Sequence, residues 1–411
     1  MSQKRSITSE PSERQSVTGQ TYRQWREVHL NVAGNSYVFA TKPGLFGYGR
    51  TDPAAMLLAE HVVVKKGDVI VYMGCGNGLA AAVAARSGQA ARIVATDRNV
   101  VSVEATRRTL SANGVANAEV IAGQGAFGIS DDLTADVVAI RIPQEKLALI
   151  QLLSDGFRLL GIGGKCYVAG ATNEGIKTAA KLLTRIFGNA AVLGYDSGHR
   201  IVAAEKESGV APQDGDLSSP YLNADVFREL DITLRGESLT IYSRPGVFSW
   251  DHLDEATQIL ADNVEIPTGA SVLDLGCGSG PLGIVASRLS GGGPLAMVDA
   301  DVEAVRSAKK SATAAGIHHY RVIASDVAGA VIGERFDVVV TNPPFHIGKH
   351  ADLSVPIQFI EDSWEVLSPG GRVFLVANRT LPYELPMKRR FGNITTLHDG
   401  QRFKVLSATK S

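Results

Sequence analysis

The chain has 411 residues, of which 45% are hydrophobic and 20% are charged, a balance typical of globular proteins, and this length favours two domains over one. Its formal net charge of −1 excludes a polybasic surface, so any contact with nucleic acid has to come from a local patch. Three scattered cysteines exclude a disulfide framework and a zinc site and favour a reducing cytoplasm, and the lack of a long apolar run excludes a membrane span. We also expect a monomer that holds no metal.

The chain begins with a polar stretch, residues 1–20, which predicts a disordered tail because it lacks the apolar core of a signal peptide. A first domain is expected over 21–204. The segment 205–220 is polar and contains Pro and Gly, so it is the natural linker. A second domain follows over 221–411.

The two domains are copies of one fold. Residues 43–86 and 245–288 align without a gap at an offset of 202, and 16 of the 44 aligned positions are identical. Later segments also match, since "FGNAAVLGYDSGHRIVAAEK" corresponds to "FGNITTLHDGQRFKVLSATK". Self-similarity over most of the chain predicts an internal duplication.

The second copy shows the order of elements most clearly. A hairpin is predicted over 231–242 and a helix over 254–264, followed by the strand "SVLDLG", a glycine-rich turn and a helix. Further strands, "LAMVDA", "FDVVVTN" and "GRVFLVAN", alternate with helices, and "ITTLHD" and "FKVLSA" are close enough for an antiparallel hairpin. Each copy is therefore predicted to be an α/β domain with a mostly parallel sheet and an antiparallel C-terminal hairpin.

Three glycines lie between a strand and a helix in "VLDLGCGSGPLG", namely Gly276, Gly278 and Gly280. Glycines at such a turn let the backbone approach a ligand closely. A dinucleotide site would favour the spacing GxGxxG and a pyrophosphate at the helix N-terminus, but here the spacing is GxGxG and Pro281 follows it.

Acidic residues at the strand ends indicate which kind of ligand the glycine loop binds. Asp274 lies beside the glycine loop, where it would repel a pyrophosphate but suit a cationic ligand. Asp299 ends the next strand, 19 residues after Gly280, where a carboxylate can accept both hydroxyls of a ribose. Asp326 ends a further strand and could accept from an adenine amino group. This pattern resembles the class I S-adenosylmethionine-dependent methyltransferases, which implies S-adenosyl-L-methionine as the cofactor.

The strand "FDVVVTN" ends at two prolines in "NPPFH". The Asn342 side-chain oxygen and the Pro343 carbonyl can accept the two hydrogens of a planar amine and so free its lone pair for attack. Pro344 stiffens the turn, and Phe345 offers a face on which a base can stack. We therefore predict that these four residues form a clamp for a planar amine beside the donor methyl.

The motif "NPPFH", with "GGRVFLVANRTLPYE", "RFKVLSA" and the duplication, resembles the ribosomal RNA guanine-N2 methyltransferases, of the types called small-subunit methyltransferase C and large-subunit methyltransferase G. The resemblance covers nearly the full length. It implies two tandem Rossmann-like domains, guanine-N2 chemistry, and ribosomal RNA or a ribosomal subunit as partner. His346 is then expected to contact substrate, and Lys349 and Arg379 to contact phosphates beside the site.

The first copy lacks parts of this machinery. Tyr72 stands at the position of Asp274, Gln124 at that of Asp326, and "AIRIPQ" at that of the clamp. We expect a degenerate domain that adds RNA-binding surface, and a second domain that binds the cofactor by itself. Two alternatives remain open from the residues: amino methylation of a protein glutamine or of adenine N6 in tRNA, and a non-catalytic RNA-binding assembly factor.

Overall fold

The computed structural model describes residues 22–48, 50–87, 90–212, 215–344 and 353–411. The two copies have the same order of elements. In the first copy these are β1 (Arg26–Val32), β2 (Asn35–Thr41), α1 (Pro53–His61), β3 (Val69–Met73), α2 (Leu79–Arg86), β4 (Arg92–Asp97), α3 (Val100–Ala112), β5 (Ala118–Ala122), β6 (Ala135–Arg141), α4 (Lys146–Leu159), β7 (Leu160–Ala171), α5 (Ile176–Phe187), β8 (Ala191–Asp196) and β9 (His199–Glu205).

The second copy repeats this series. Its elements are β10 (Arg228–Leu234), β11 (Glu237–Ser243), α6 (Glu255–Asn263), β12 (Val272–Leu275), α7 (Pro281–Leu289), β13 (Leu295–Asp299), α8 (Val302–Ala314), β14 (Tyr320–Ala324), β15 (Phe336–Thr341), α9 (Ser354–Val366), β16 (Leu367–Asn378), α10 (Glu384–Phe391), β17 (Thr395–Asp399) and β18 (Phe403–Thr409).

Each copy builds one seven-stranded sheet. The strand order is β5-β4-β3-β6-β7-β9-β8 in the first copy and β14-β13-β12-β15-β16-β18-β17 in the second. The first five strands in each order are parallel, and the last two run antiparallel as a hairpin against β7 or β16. The predicted α/β fold with an antiparallel C-terminal hairpin is confirmed.

The central strands are buried on both faces. Every residue of β12 is buried, which explains why "VLDL" reads as a short apolar run without alternation. β12 lies between β13 and β15, so the chain runs from β12 to β13 and β14 on one side and then crosses from β14 to β15 on the other side. Such a switch point leaves a crevice at the carboxyl ends of the strands, and this crevice positions the site.

The copies meet across a pseudo-twofold contact between the loops that follow β4 and β13. Asn99 and Asp301, which stand at equivalent places, pair as an antiparallel bridge. On either side, the backbone N–H groups of Val100 and Val302 each donate to a carbonyl of the other copy at 2.9 Å. The carboxyl edges of the two sheets therefore lie next to each other.

The predicted tail, 1–20, lies outside the described residues. Part of the predicted linker packs on the first copy, since Lys206 Nζ donates to the carbonyl oxygens of Phe157 and Leu160 at 2.8 and 2.6 Å, and Leu217 is buried in that core. Within the described ranges, no helix is both long and apolar enough to cross a membrane.

Candidate active site

A cavity of about 490 Å³ opens at the carboxyl edge of the second sheet. The predicted site residues that line it come from four different loops and are Gly276, Gly278, Asp299, Asp326, Asn342, Pro343 and Pro344. They follow β12, β13, β14 and β15. Parallel strands bring these loops together because their carboxyl ends share one edge of the sheet.

The glycine loop wraps closely around this cavity. Gly276 has a φ of 77°, and a Cβ there would lie 2.9 Å from the Phe359 ring, so only glycine fits. Gly278 has a φ of 53°, but a Cβ there would meet no atom within 4 Å among the described residues, its chain neighbours aside. The open space beside Gly278 belongs to the cavity that this residue lines.

Asp299 is fixed by the loops on both sides of it. Its Oδ2 accepts from Gly278 N and its Oδ1 from Asp301 N, both at 2.9 Å. Burial raises the pKa of Asp299 to about 6, with the neighbouring Asp301 carboxylate acting in the same direction. The carboxylate thus reaches the cavity in a fixed orientation with lone pairs left to accept hydroxyl groups.

Asp274 and Gly280 lie beneath the loop and are not among the residues that line the cavity. Asp274 is fully buried, and its Oδ2 accepts from Gly283 N at 2.8 Å. Its Oδ1 has no hydrogen-bond partner within the described part of the chain. Burial raises its pKa to about 7. Gly280 caps α7, with its α-carbon packed toward Ala308.

The side chain of Asn342 is held by the residues that begin α6. Its Nδ2 donates to Asp254 Oδ2 at 3.0 Å and to Thr257 Oγ1 at 3.1 Å. Asp254 is also the N-cap of α6, where its Oδ2 accepts from Thr257 N at 2.8 Å. Since both Nδ2 hydrogens are used, Oδ1 is the atom of this amide that can accept from a substrate.

Asp254 and Thr257 also line the cavity, and we did not identify them from the sequence as site residues. The sequence signal is only local, because Asp254 begins the helix predicted over 254–264 and an Asp at a helix start indicates no more than an N-cap. Its contact with Asn342 joins residues 88 positions apart.

The remaining predicted site residues are not among the described residues that line the cavity. Phe345, His346 and Lys349 lie outside the described residues. Arg379 follows β16 at the same sheet edge, but it does not line the cavity; it is half exposed and its Nε lies 3.3 Å from Asp399 Oδ1.

The first copy contributes directly to this cavity. Tyr22 and Gly44 line it, and the Tyr22 hydroxyl donates to Asp326 Oδ1 at 2.7 Å. That the second domain binds the cofactor by itself stays a prediction, and the first copy forms part of the wall of the same cavity. Phe248, which is 59% exposed, and His252 also line the cavity in the second copy.

The equivalent region of the first copy has a different chemistry. Arg141 occupies the place of Asn342, because Met73–Ile140 and Leu275–Thr341 are equivalent register pairs. Arg141 pairs with Asp52 and Glu174, so a paired guanidinium takes the place of the amide at this position. The side chain at this strand tip therefore differs in charge and bonding from Asn342 in the second copy.

The family model of the methyltransferase small domain matches the chain twice, at residues 36–203 and 238–407. Ribosomal RNA small subunit methyltransferase C of Hahella chejuensis is 30% identical over 279 residues, which are 68% of this chain and 79% of that protein. The corresponding protein of Pseudoalteromonas atlantica is 32% identical over 274 residues, covering 67% of this chain and 77% of the relative.

A solved structure is similar over nearly the full length. It is the 16S rRNA N2 methyltransferase RsmC of T. Thermophilus, in complex with AdoMet and guanosine, with a TM-score of 0.80 and 27% identity over 96% of this chain and 100% of that one. The match therefore spans both copies. The chain therefore belongs to the methyltransferase small domain family, among the ribosomal RNA small subunit methyltransferases C.

Proposed function

We propose that this chain transfers the methyl group of S-adenosylmethionine to the exocyclic N2 amine of a guanine in small-subunit ribosomal RNA. The observation that carries the proposal is the amide of Asn342, which is oriented by Asp254 and Thr257 at the wall of a cavity that also contains Asp299. The names of the relatives agree with this chemistry. We further propose that the protein acts as a monomer in the cytoplasm.

The residues of the cavity fit S-adenosylmethionine, which would supply a methyl group already activated by its sulfonium. Asp299 would accept the two ribose hydroxyls, and the open space beside Gly278 would receive the ribose. Asp326 follows β14 and Asn342 follows β15, so they stand on opposite sides of β12. The adenine would therefore lie toward Asp326 and the methyl group toward Asn342.

Asn342 Oδ1 and the Pro343 carbonyl would accept the two hydrogens of the guanine amine. The amine of guanine is a poor nucleophile because its lone pair is delocalised into the ring. Two acceptors that favour the pyramidal amine free this lone pair, and fixed acceptors need no reorganisation during the reaction. We propose Phe345 as a stacking face for the base, with Phe248 also exposed at the cavity.

The step balances without a general base. The N2 lone pair forms the new N–C bond as the bond between sulfur and methyl breaks, and the surplus proton of the amine then leaves to water. The target base has to leave its stack to reach the clamp. The chain's main contribution is position and orientation of the two partners.

Methylation of small-subunit ribosomal RNA with labelled cofactor, followed by nucleoside analysis, tests this function. We expect N2-methylguanosine as the labelled product. N6-methyladenosine, or label in protein instead of RNA, would overturn the guanine assignment.

A further inference from the structure

Two residues of the first copy hold an acid of the second. The Tyr22 hydroxyl donates to Asp326 Oδ1 at 2.7 Å, and the ammonium group of Lys42 pairs with Asp326 Oδ2. Lys42 follows β2 in the first copy and is only 1% exposed. A buried lysine costs stability unless it is paired, so this contact is a fixed feature of the contact between the copies.

The contact lies at the wall of the cavity. Tyr22 and Asp326 both line it, and the Lys42 ammonium lies 3.9 Å from the centre of the Tyr22 ring and 5.7 Å from that of Trp25. Burial lowers the pKa of Lys42, and the Asp326 carboxylate opposes this shift. A cation and a phenol from one copy thus orient a carboxylate of the other.

Asp326 retains acceptor capacity in this arrangement. A carboxylate has about four lone-pair sites, and Tyr22 and Lys42 use two of them. The carboxylate can therefore accept from an amino group in the cavity, and its orientation is set by the first copy.

We infer that Tyr22 and Lys42 are specificity-determining residues of the cofactor site, acting through Asp326 to select the adenine amino group. The inference rests on the proposed function. It makes the first copy part of the cofactor site as well as a carrier of RNA-binding surface.

The affinity of the full chain for two ligands tests this role. S-adenosylhomocysteine carries the adenine amino group, and S-inosylhomocysteine has a carbonyl oxygen in its place. We expect wild type to prefer the adenine ligand, and Lys42→Met and Tyr22→Phe to reduce that preference by about tenfold, the effect of one hydrogen bond to a charged group. If Tyr22 and Lys42 only supported the fold, their substitution would lower the affinity for both ligands equally.

Arg244→Met is the matched control. Arg244 stands at the position equivalent to Lys42, is 1% exposed and contacts the first copy through Gln151, yet it does not line the catalytic cavity. We expect this variant to retain the wild-type preference. An unchanged preference in Lys42→Met and Tyr22→Phe would overturn the inference alone, whereas a wild-type chain that binds neither ligand would overturn the proposed function as well.

The first copy encloses a cavity of its own, of about 610 Å³, at the equivalent sheet edge. Asp97 lines it and keeps the geometry of Asp299: its Oδ2 accepts from Gly76 N at 3.0 Å and its Oδ1 from Asn99 N at 2.9 Å. The element that would hold a ribose is therefore present twice in the chain.

A second observation also points to a ligand there. Tyr72 lines the cavity and is 3% exposed, and its hydroxyl has no hydrogen-bond partner in the residues that the structure describes. A buried hydroxyl without a partner is costly, and an acceptor on a bound molecule would satisfy it.

The charges of the cavity select the class of ligand. Arg141 is paired with Asp52 and Glu174, at 3.3 and 2.8 Å, which leaves a surplus of negative charge at the strand tip. Arg98 also lines the cavity, but its guanidinium is paired with Asp301 of the second copy. This disfavours a phosphate. A carboxylate that accepts both ribose hydroxyls requires a free 2′,3′-diol, which an internal RNA nucleotide lacks because its 3′ oxygen is esterified. We propose that the first copy binds a free, uncharged ribonucleoside.

Calorimetric titration of the full chain carrying both Asp299→Ala and Asn342→Ala with adenosine, guanosine, cytidine and uridine tests this second site, because these changes remove the ribose contact and the guanine contact of the catalytic copy. We expect at least one nucleoside to bind once per chain, and its affinity to fall about tenfold or more when Asp97→Ala or Tyr72→Phe is added. The 2′-deoxy form of that nucleoside should bind the chain with intact Asp97 and Tyr72 as weakly as the ribonucleoside binds these variants. No binding of any of the four, or binding that Asp97→Ala leaves unchanged, would overturn the proposal.

Discussion

At the scale of single residues, the hydrogen bonds that a side chain makes within the protein leave certain of its polar atoms available to a ligand. Asn342 is the clearest case, because its Nδ2 donates to Asp254 and Thr257. The remaining oxygen is an acceptor with a fixed direction. This arrangement explains why an amide serves here, since Asp at this position would place a charge beside Asp254.

Removing that acceptor should affect the reaction more than the binding of cofactor. Asn342→Ala is expected to reduce turnover by about 10²–10³, by analogy with the loss of one oxyanion-hole donor. Cofactor affinity should stay near the wild-type value, because the bond is made mainly in the transition state. Single-turnover methylation of ribosomal RNA measures the effect. An Asn342→Ala enzyme with unchanged turnover would contradict the clamp.

Buried acids should make the ligand-free protein less stable as the pH rises. Burial raises the pKa of Asp274 to about 7, and of Asp97 and Asp299 to about 6. Between about pH 4 and 7 the folded state then holds more protons than the unfolded chain, so the free energy of unfolding falls across this window. Urea denaturation at pH 5 and pH 8 measures it.

Asp274→Asn provides the control, since it removes the group with the highest of these pKa values. The decrease in the free energy of unfolding between pH 5 and pH 8 should be smaller in this variant than in wild type. A wild-type chain that is more stable at pH 8 than at pH 5 would contradict the assignment of raised pKa values.

At the scale of elements, the glycine loop between β12 and α7 is matched by the loop between β3 and α2. Gly278 has a φ of 53° and Gly76 a φ of 60°, and beyond the adjacent residues a Cβ at either position would meet nothing within 4 Å in the described part of the chain. The two positions therefore carry the same backbone strain but line different cavities.

Substitutions at these two glycines distinguish the effect of backbone strain on stability from an effect on cofactor binding. Gly278→Ala and Gly76→Ala should each lower the free energy of unfolding by about 1–2 kcal/mol, the cost of a left-handed conformation with a Cβ. Only Gly278→Ala should weaken the binding of S-adenosylmethionine, because the added side-chain methyl group enters the cofactor cavity. Thermal denaturation and calorimetric titration of both variants measure the two effects. Equal loss of cofactor affinity in both would contradict the assignment of the cavity.

At the scale of the whole molecule, the chain has two neighbouring cavities, one in each copy, near the bridge between Asn99 and Asp301. Gly44 and Asn99 line both cavities. The copies are thus neighbours whose sites share walls, which explains why residues of the first copy contact Asp326.

One S-adenosylmethionine is expected to bind per chain, because the first copy has Tyr72 and Arg141 where the second has Asp274 and Asn342. Calorimetric titration should find a single site that is abolished by Asp299→Ala. Asp97→Ala, the matched change in the first copy, should leave the affinity nearly unchanged. Two sites of equal affinity would contradict the division of roles between the copies.

The sequence by itself determined the duplication, the α/β order of each copy and the residues at the strand tips. These features are local or repeated: "VLDLG" and "VVVTNPPF" combine a buried strand with the residues that end it, and an offset of 202 aligns the copies. Parallel strands then place such ends at one edge, so Gly276, Asp299 and Asn342 could be assigned to one site before the fold was seen.

Only the tertiary structure decided which side chains complete the site. The bonds from Tyr22 and Lys42 to Asp326 span 304 and 284 residues, and no local pattern predicts which surfaces of two similar domains will meet. Asp274 lies under the loop instead of in the cavity because β12 is buried on both faces. Sequence periodicity defines which residues share a strand or a helix, whereas the packing of one copy against the other defines what each polar atom contacts.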